Sequence, residues 1–163
     1  MSLKLFACGS NGAGQLALSH QEDTSTFQAV HITPSLSPNT RIVDLVSSAS
    51  HSLLLVNQDD GYRNILLGAG TNSHGQLGEK CLLWEDGERK VHSRFDTLAL
   101  VGSLGLDYKE AEWEPVQIAA TWTTSLVVYS KIRTMSTSSA DESERRDIVI
   151  ATGSNDFGEL GSG

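Results

Sequence analysis

Apolar positions in this chain cluster in short runs and do not form a helical stripe. Runs at residues 3–8, 41–47, 52–57, 63–69 and 148–152 have strand length and are rich in Val, Ile and Leu. A 3.6-residue period is hard to find anywhere between residues 1 and 130. The runs at 3–8, 65–69 and 148–152 each lead into the same polar, glycine-rich pattern. It reads Gly9-Ser10-Asn11-Gly12-Ala13-Gly14-Gln15-Leu16-Ala17, then Gly70-Thr71-Asn72-Ser73-His74-Gly75-Gln76-Leu77-Gly78, then Gly153-Ser154-Asn155-Asp156-Phe157-Gly158-Glu159-Leu160-Gly161. The pattern predicts a turn after each strand. Its first glycine tolerates positive φ, its asparagine folds back onto the backbone as an Asx turn, and its leucine returns an apolar anchor to the core.

A second pattern lies between the turns. Residues 42–56 (IVDLVSSASHSLLLV) parallel residues 115–129 (PVQIAATWTTSLVVY), which aligns Ser52 with Ser125. The first unit, residues 1–69, therefore holds four predicted strands: 3–8, 41–47, 52–57 and 63–69. The second unit covers 70–152 and a third opens at 153–163. Two stretches escape the repeat. Residues 79–110 mix charges with a Leu/Gly run and have room for a short helix or one irregular strand. Residues 131–146 are Ser/Thr-rich and then charged, and read as a solvated loop. Short strands joined at regular intervals by glycine-rich turns define an all-β repeat architecture, with four-stranded units that correspond to propeller blades.

Composition narrows the function classes. The 163 residues include 15 glycines and only 3 prolines, as strands with tight turns require. The formal charge of −8 argues against non-specific binding to nucleic-acid phosphates. Cys8 and Cys81 are too few for a disulfide scaffold, which points to a reducing compartment. No segment has membrane-spanning length, and the first nine residues are too soon interrupted for a signal peptide. The expected location is cytoplasmic, with the nucleus as a second site.

The chemistry-bearing residues support no enzyme. The spacing of Gly9 and Gly14, Gly70 and Gly75, and Gly153 and Gly158 is that of a phosphate-binding loop. Gln15, Gln76 and Glu159 stand where such a loop needs lysine. Five histidines and two cysteines show no metal-ligand spacing, so no metal and no cofactor is expected. Cys8 has no base beside it and reads as a small core residue. The paired acids Glu22-Asp23 and Asp59-Asp60 read as turn carboxylates. His51 reads as a blade-core histidine bonded between blades, and His74 as a turn residue. Of the three tryptophans, Trp122 reads as the core or rim of a blade. Trp84, beside Glu85 in the 79–110 stretch, is a candidate partner anchor.

The three Gly-x-Asn-x-x-Gly turns, with Gln-Leu-Gly completing the second, and the His51-Ser52 pair before an apolar strand resemble the regulator of chromosome condensation repeat. Gly70 to Gly78 matches at every position. The departures are Ala17 for glycine, Glu159 for glutamine, Thr124 for the inner-strand histidine, and Ser48 and Thr121 for the glycine three residues before it. The resemblance covers about two thirds of the chain. It implies a β-propeller of seven blades, of which two to three are present here. It therefore also implies either a piece of a longer chain or a ring completed by several chains.

The resemblance further implies a non-enzymatic interaction platform. Asn11, residues 18–23, residues 113–116 and residues 122–124 resemble one fungal branch of that family. For that branch the implied partner is a small zinc protein that donates electrons in diphthamide synthesis and in Elongator-dependent modification of tRNA wobble uridines. The loops expected to touch it carry Asn11, Gly12, His20, Glu22, Asp23, Trp84 and Glu85. Other family roles are a guanine nucleotide exchange factor for a small GTPase and a repeat module within a ubiquitin ligase.

Overall fold

The computed structural model describes residues 4–33, 35–58, 63–78, 91–105, 107–132, 146–156, 158 and 160. The fold is all-β, with ten strands among the described residues and only two short 3₁₀ turns, Val101–Ser103 and Glu110–Glu112. The strands are β1 (Phe6–Gly9), β2 (Thr24–Ala29), β3 (Ile32–Thr33), β4 (Arg41–Ser47), β5 (His51–Gln58), β6 (Arg63–Thr71), β7 (Val91–Thr97), β8 (Trp113–Ala120), β9 (Thr124–Lys131) and β10 (Asp147–Gly153).

They form three sheets. β4 to β7 run as an antiparallel meander, and β3 adds to the outer edge of β7 in parallel. β8, β9 and β10 form a second meander, and β1 pairs with β2 in a third sheet. The sheets pack side by side with no closed barrel among the described residues, the architecture of an incomplete propeller. No helix among the described residues is long and apolar enough to cross a membrane.

The meanders are offset from the sequence repeat. Of the four strands expected within residues 1–69, three share the middle sheet, but the first, β1, belongs to its neighbour. The fourth strand of the middle sheet is β7, which comes from the stretch set aside as outside the repeat. The glycine-rich turn thus links the third and fourth strands of a meander and does not close it.

Burial explains the unbroken apolar run of β5. Leu53 and Leu55 join a core with Ile118, Val127, Tyr129 and Ile150 of the β8–β10 sheet. Leu54 and Val56 point the opposite way, into a core with Ala17, Phe95, Leu5 and Val30. Alternate side chains meet different neighbours, so both faces need apolar residues. All four of these β5 side chains are fully buried, and each contributes about 1.5–3 kcal/mol by leaving water. β4, at the sheet's inner edge, leaves Ile42, Val43 and Leu45 exposed.

Candidate partner-binding surface

The turns that follow β1, β6 and β10 repeat one hydrogen-bond scheme. The Asn11 side-chain carbonyl accepts from the Leu16 amide (2.9 Å), Asn72 from Leu77 (2.7 Å) and Asn155 from Leu160 (2.9 Å). The reach is five residues forward, not the two of the expected Asx turn. One side chain therefore closes the whole loop. Backbone bonds tighten each copy inside this clamp: Gly14 to Asn11, Gly75 to Asn72 and Gly158 to Asn155. In the first two copies the glutamine closes a second circuit. Gln15 Oε1 accepts from Ala13 (3.0 Å), and Gln76 Oε1 accepts from His74 (2.9 Å). Leu77 is buried, whereas Leu16 and Leu160 are half-buried. Gly161 lies outside the described residues.

Strand register brings these turns to one rim. His51 pairs with Gly70 and Thr124 with Gly153, so the β4–β5 and β8–β9 hairpin turns stand beside the glycine-rich turns. Gly70 has φ +114°, and a Cβ there would meet the Ser50 carbonyl oxygen at 2.4 Å, so only glycine fits.

Hydrogen bonds along this rim tie each sheet to the next. Ser52 Oγ donates to the Gln15 carbonyl (2.8 Å), and Thr152 Oγ1 donates to the Gly75 carbonyl (2.6 Å). His51 Nε2 lies 2.8 Å from Ser125 Oγ, and its Nδ1 lies 2.9 Å from Ser48 Oγ. His51 is fully buried, and burial pushes its pKa down from 6.5 to about 4. The imidazole is therefore neutral near pH 7. With both nitrogens engaged and no access for solvent, it is a structural link between sheets.

The residues expected to meet a partner divide into two groups. Asn11 is buried, and its side-chain amide also donates to the His20 carbonyl (2.7 Å). Asp23 Oδ1 accepts from the Asn11 amide (2.7 Å) and from Ser10 Oγ (3.2 Å). Both hold the loop together, Asn11 from a buried position and Asp23 from an exposed one. His20 Nε2 donates to Gln28 Oε1 (3.1 Å), and its Nδ1 accepts from the Glu22 amide (3.2 Å). Gly12 and Glu22 are exposed. Trp84, Glu85, Cys81, Asp59 and Asp60 lie outside the described residues.

One expectation is corrected, and one open alternative is resolved. Cys8 is exposed, because β1 belongs to a two-stranded sheet and not to the middle core. Of the two places expected for Trp122, core or rim, the structure gives the rim: it is 73% exposed, at the tip of the β8–β9 turn that Thr121 N–H to Thr124 O closes (2.8 Å). The Trp122 carbonyl accepts from Ser50 Oγ of the adjacent sheet, which fixes the turn while its indole faces solvent. The signal was present in the repeat alignment, where Trp122 falls on Ala49, itself exposed at a turn tip. Among the described residues no three His, Cys, Asp or Glu side chains gather as a metal site. The chain matches no protein-family model, and no curated protein matches it.

Proposed function

We propose that this chain is a non-enzymatic docking platform and that its turn-bearing rim, with Trp122 at its centre, receives a protein partner. The exposure of Trp122 carries this reading. It is a large aromatic held on a hydrogen-bonded hairpin tip, and such side chains dominate binding energy when a partner covers them. Ser50, His51 and Thr124 beside it are engaged in internal bonds, so the rim offers an apolar anchor on a turn fixed to the neighbouring sheet.

The partner class rests on the resemblance of residues 18–23, 113–116 and 122–124 to the fungal alpha-tubulin suppressor propeller. That resemblance supports a small zinc electron-donor protein of diphthamide synthesis and Elongator-dependent tRNA modification, met in the cytoplasm or nucleus. Native mass spectrometry of complexes captured on this chain tests the reading. A zinc-bearing partner should be retained by the unmodified chain and lost at least about tenfold with Trp122→Ala, while thermal stability changes by less than about 0.5 kcal/mol. Acceleration of nucleotide release from a GTPase would instead support an exchange factor, and equal capture by Trp122→Ala would remove Trp122 from the interface.

A further inference from the structure

Two apolar sheet faces lie open, one at each end of the row of three sheets, and the repeat shows what each is shaped to meet. With Gly9 aligned on Gly70, Phe6 falls on Leu67. The strand registers agree: Phe6 pairs with Ala29 and Ala7 with Gln28, as Leu67 pairs with Thr97 and Gly68 with Asp96. Phe27 of β2 therefore occupies the place of Phe95 in β7. Leu67 and Phe95 are buried in the core that Leu5 and Val30 of the first sheet help to cover. Phe6 is 58% exposed and Phe27 75%, since among the described residues no sheet covers that side of β1–β2.

The other end carries the matching half. With Ser52 aligned on Ser125 and Gly70 on Gly153, Leu126 and Val128 fall on Leu53 and Leu55, and Val149 falls on Leu66. Val149 pairs with Val128 as Leu66 pairs with Leu55. Leu53, Leu55 and Leu66 are buried in one core with Val127, Tyr129 and Ile150 of the β8–β10 sheet. Leu126 and Val128 are half-buried, and Val149 is 64% exposed. Ile150 is the repeat equivalent of Phe6. Within the chain, then, the Leu53, Leu55 and Leu66 face receives Ile150, and both halves of a second such joint stand open at opposite ends.

We propose that these two faces bind one another between copies of this chain, with Leu126, Val128 and Val149 of one copy receiving Phe6 of the next. A second copy is the occupant because it brings the complementary half in the register that the internal joint already uses. The contact joins unlike surfaces, so copies add head to tail. It removes from water large side chains that monomeric proteins seldom leave exposed together. The proposal does not depend on the partner reading, which concerns the turn rim and Trp122.

Sedimentation and native mass spectrometry of the full chain test it, with one charge placed on each face. The unmodified chain should form multiples of its own mass at about 0.1 mM, above the Kd of an ordinary specific interface. Phe6→Glu and Val149→Glu should each weaken association at least about tenfold. Both positions are exposed, so circular dichroism should show each variant folded. Mixed together, the two variants should form a one-to-one dimer and nothing larger, because each retains the half that the other has lost. A monomeric unmodified chain, self-association of either variant at the unmodified strength, or no dimer in the mixture would each overturn the proposal.

Discussion

The β4–β5 and β8–β9 hairpins are built alike and surrounded differently. In both, the turn closes with the same backbone bond, Ser48 N–H to His51 O and Thr121 N–H to Thr124 O, each 2.8 Å. In both, a glycine at strongly positive φ lies against the start of the second strand, Gly70 at +114° and Gly153 at +130°. Yet all of residues 51–56 are buried, whereas burial alternates along β9. The middle hairpin has a sheet on each face and the β8–β9 hairpin has one among the described residues. The polar residue at the strand start follows suit. His51 reaches across to Ser125, while Thr124 Oγ1 turns back to the Ser154 carbonyl of its own sheet (3.1 Å). The backbone scheme thus belongs to the repeat unit, and the side chains record whether a neighbour is there to be bonded.

The sharpest way to break this pairing is at the shared glycine. Gly70→Ala forces a Cβ against Ser50 and His51 within a doubly covered sheet, at an expected cost of about 3 kcal/mol in chemical denaturation. Gly75→Ala is the control: its φ is also positive, at +82°, but a Cβ there meets nothing within 4 Å. It should cost only about 1 kcal/mol of backbone strain.

The His51 link predicts a pH dependence of similar size. Its folded pKa of about 4 lies below the unfolded 6.5, so the unfolded chain takes up the proton first as pH falls. The contribution is fully present above pH 6.5, declines through the window down to pH 4, and totals about 3 kcal/mol. His51→Thr, which copies the β9 residue, should flatten the stability profile across that window. An unchanged slope would assign the dependence to other groups.

The smallest effect concerns the imperfect first turn. Ala17 is buried at φ +55°, where the second turn has Gly78 at +88°. Ala17→Gly should relieve the left-handed strain and raise stability by about 0.5–1 kcal/mol in thermal denaturation. Gly78→Ala should do the reverse and more, since a Cβ there meets Leu100 Cδ2 at 2.4 Å.

Strand runs and turn glycines were legible because they obey local rules: short runs rich in Val, Ile and Leu, and positive φ where a chain reverses. The alignment of Ser52 with Ser125 also anticipated that both would sit at equivalent places on inner strands. Three features were not legible, for three physical reasons. Sheet boundaries follow from pairing partners, which a repeat phase alone does not determine, so β1 went to the wrong sheet and β7 was set aside. Cys8 looked like a core residue because its run is apolar, but the exposure of a strand depends on what covers its sheet. Asn11 looked available as a polar loop residue, yet it is buried and the loop takes its side chain; exposed Asp23 also ties the loop, through bonds spanning up to thirteen positions.

The central claim is that neighbouring sheets are joined through neutral, buried His51. An NMR titration of the His51 imidazole tests it most directly. A pKa near 4, with the ring neutral throughout the physiological range, is the predicted result. A titration near 6.5 would mean that His51 is in water, that the bond to Ser125 is not made, and that the two sheets do not pack as described.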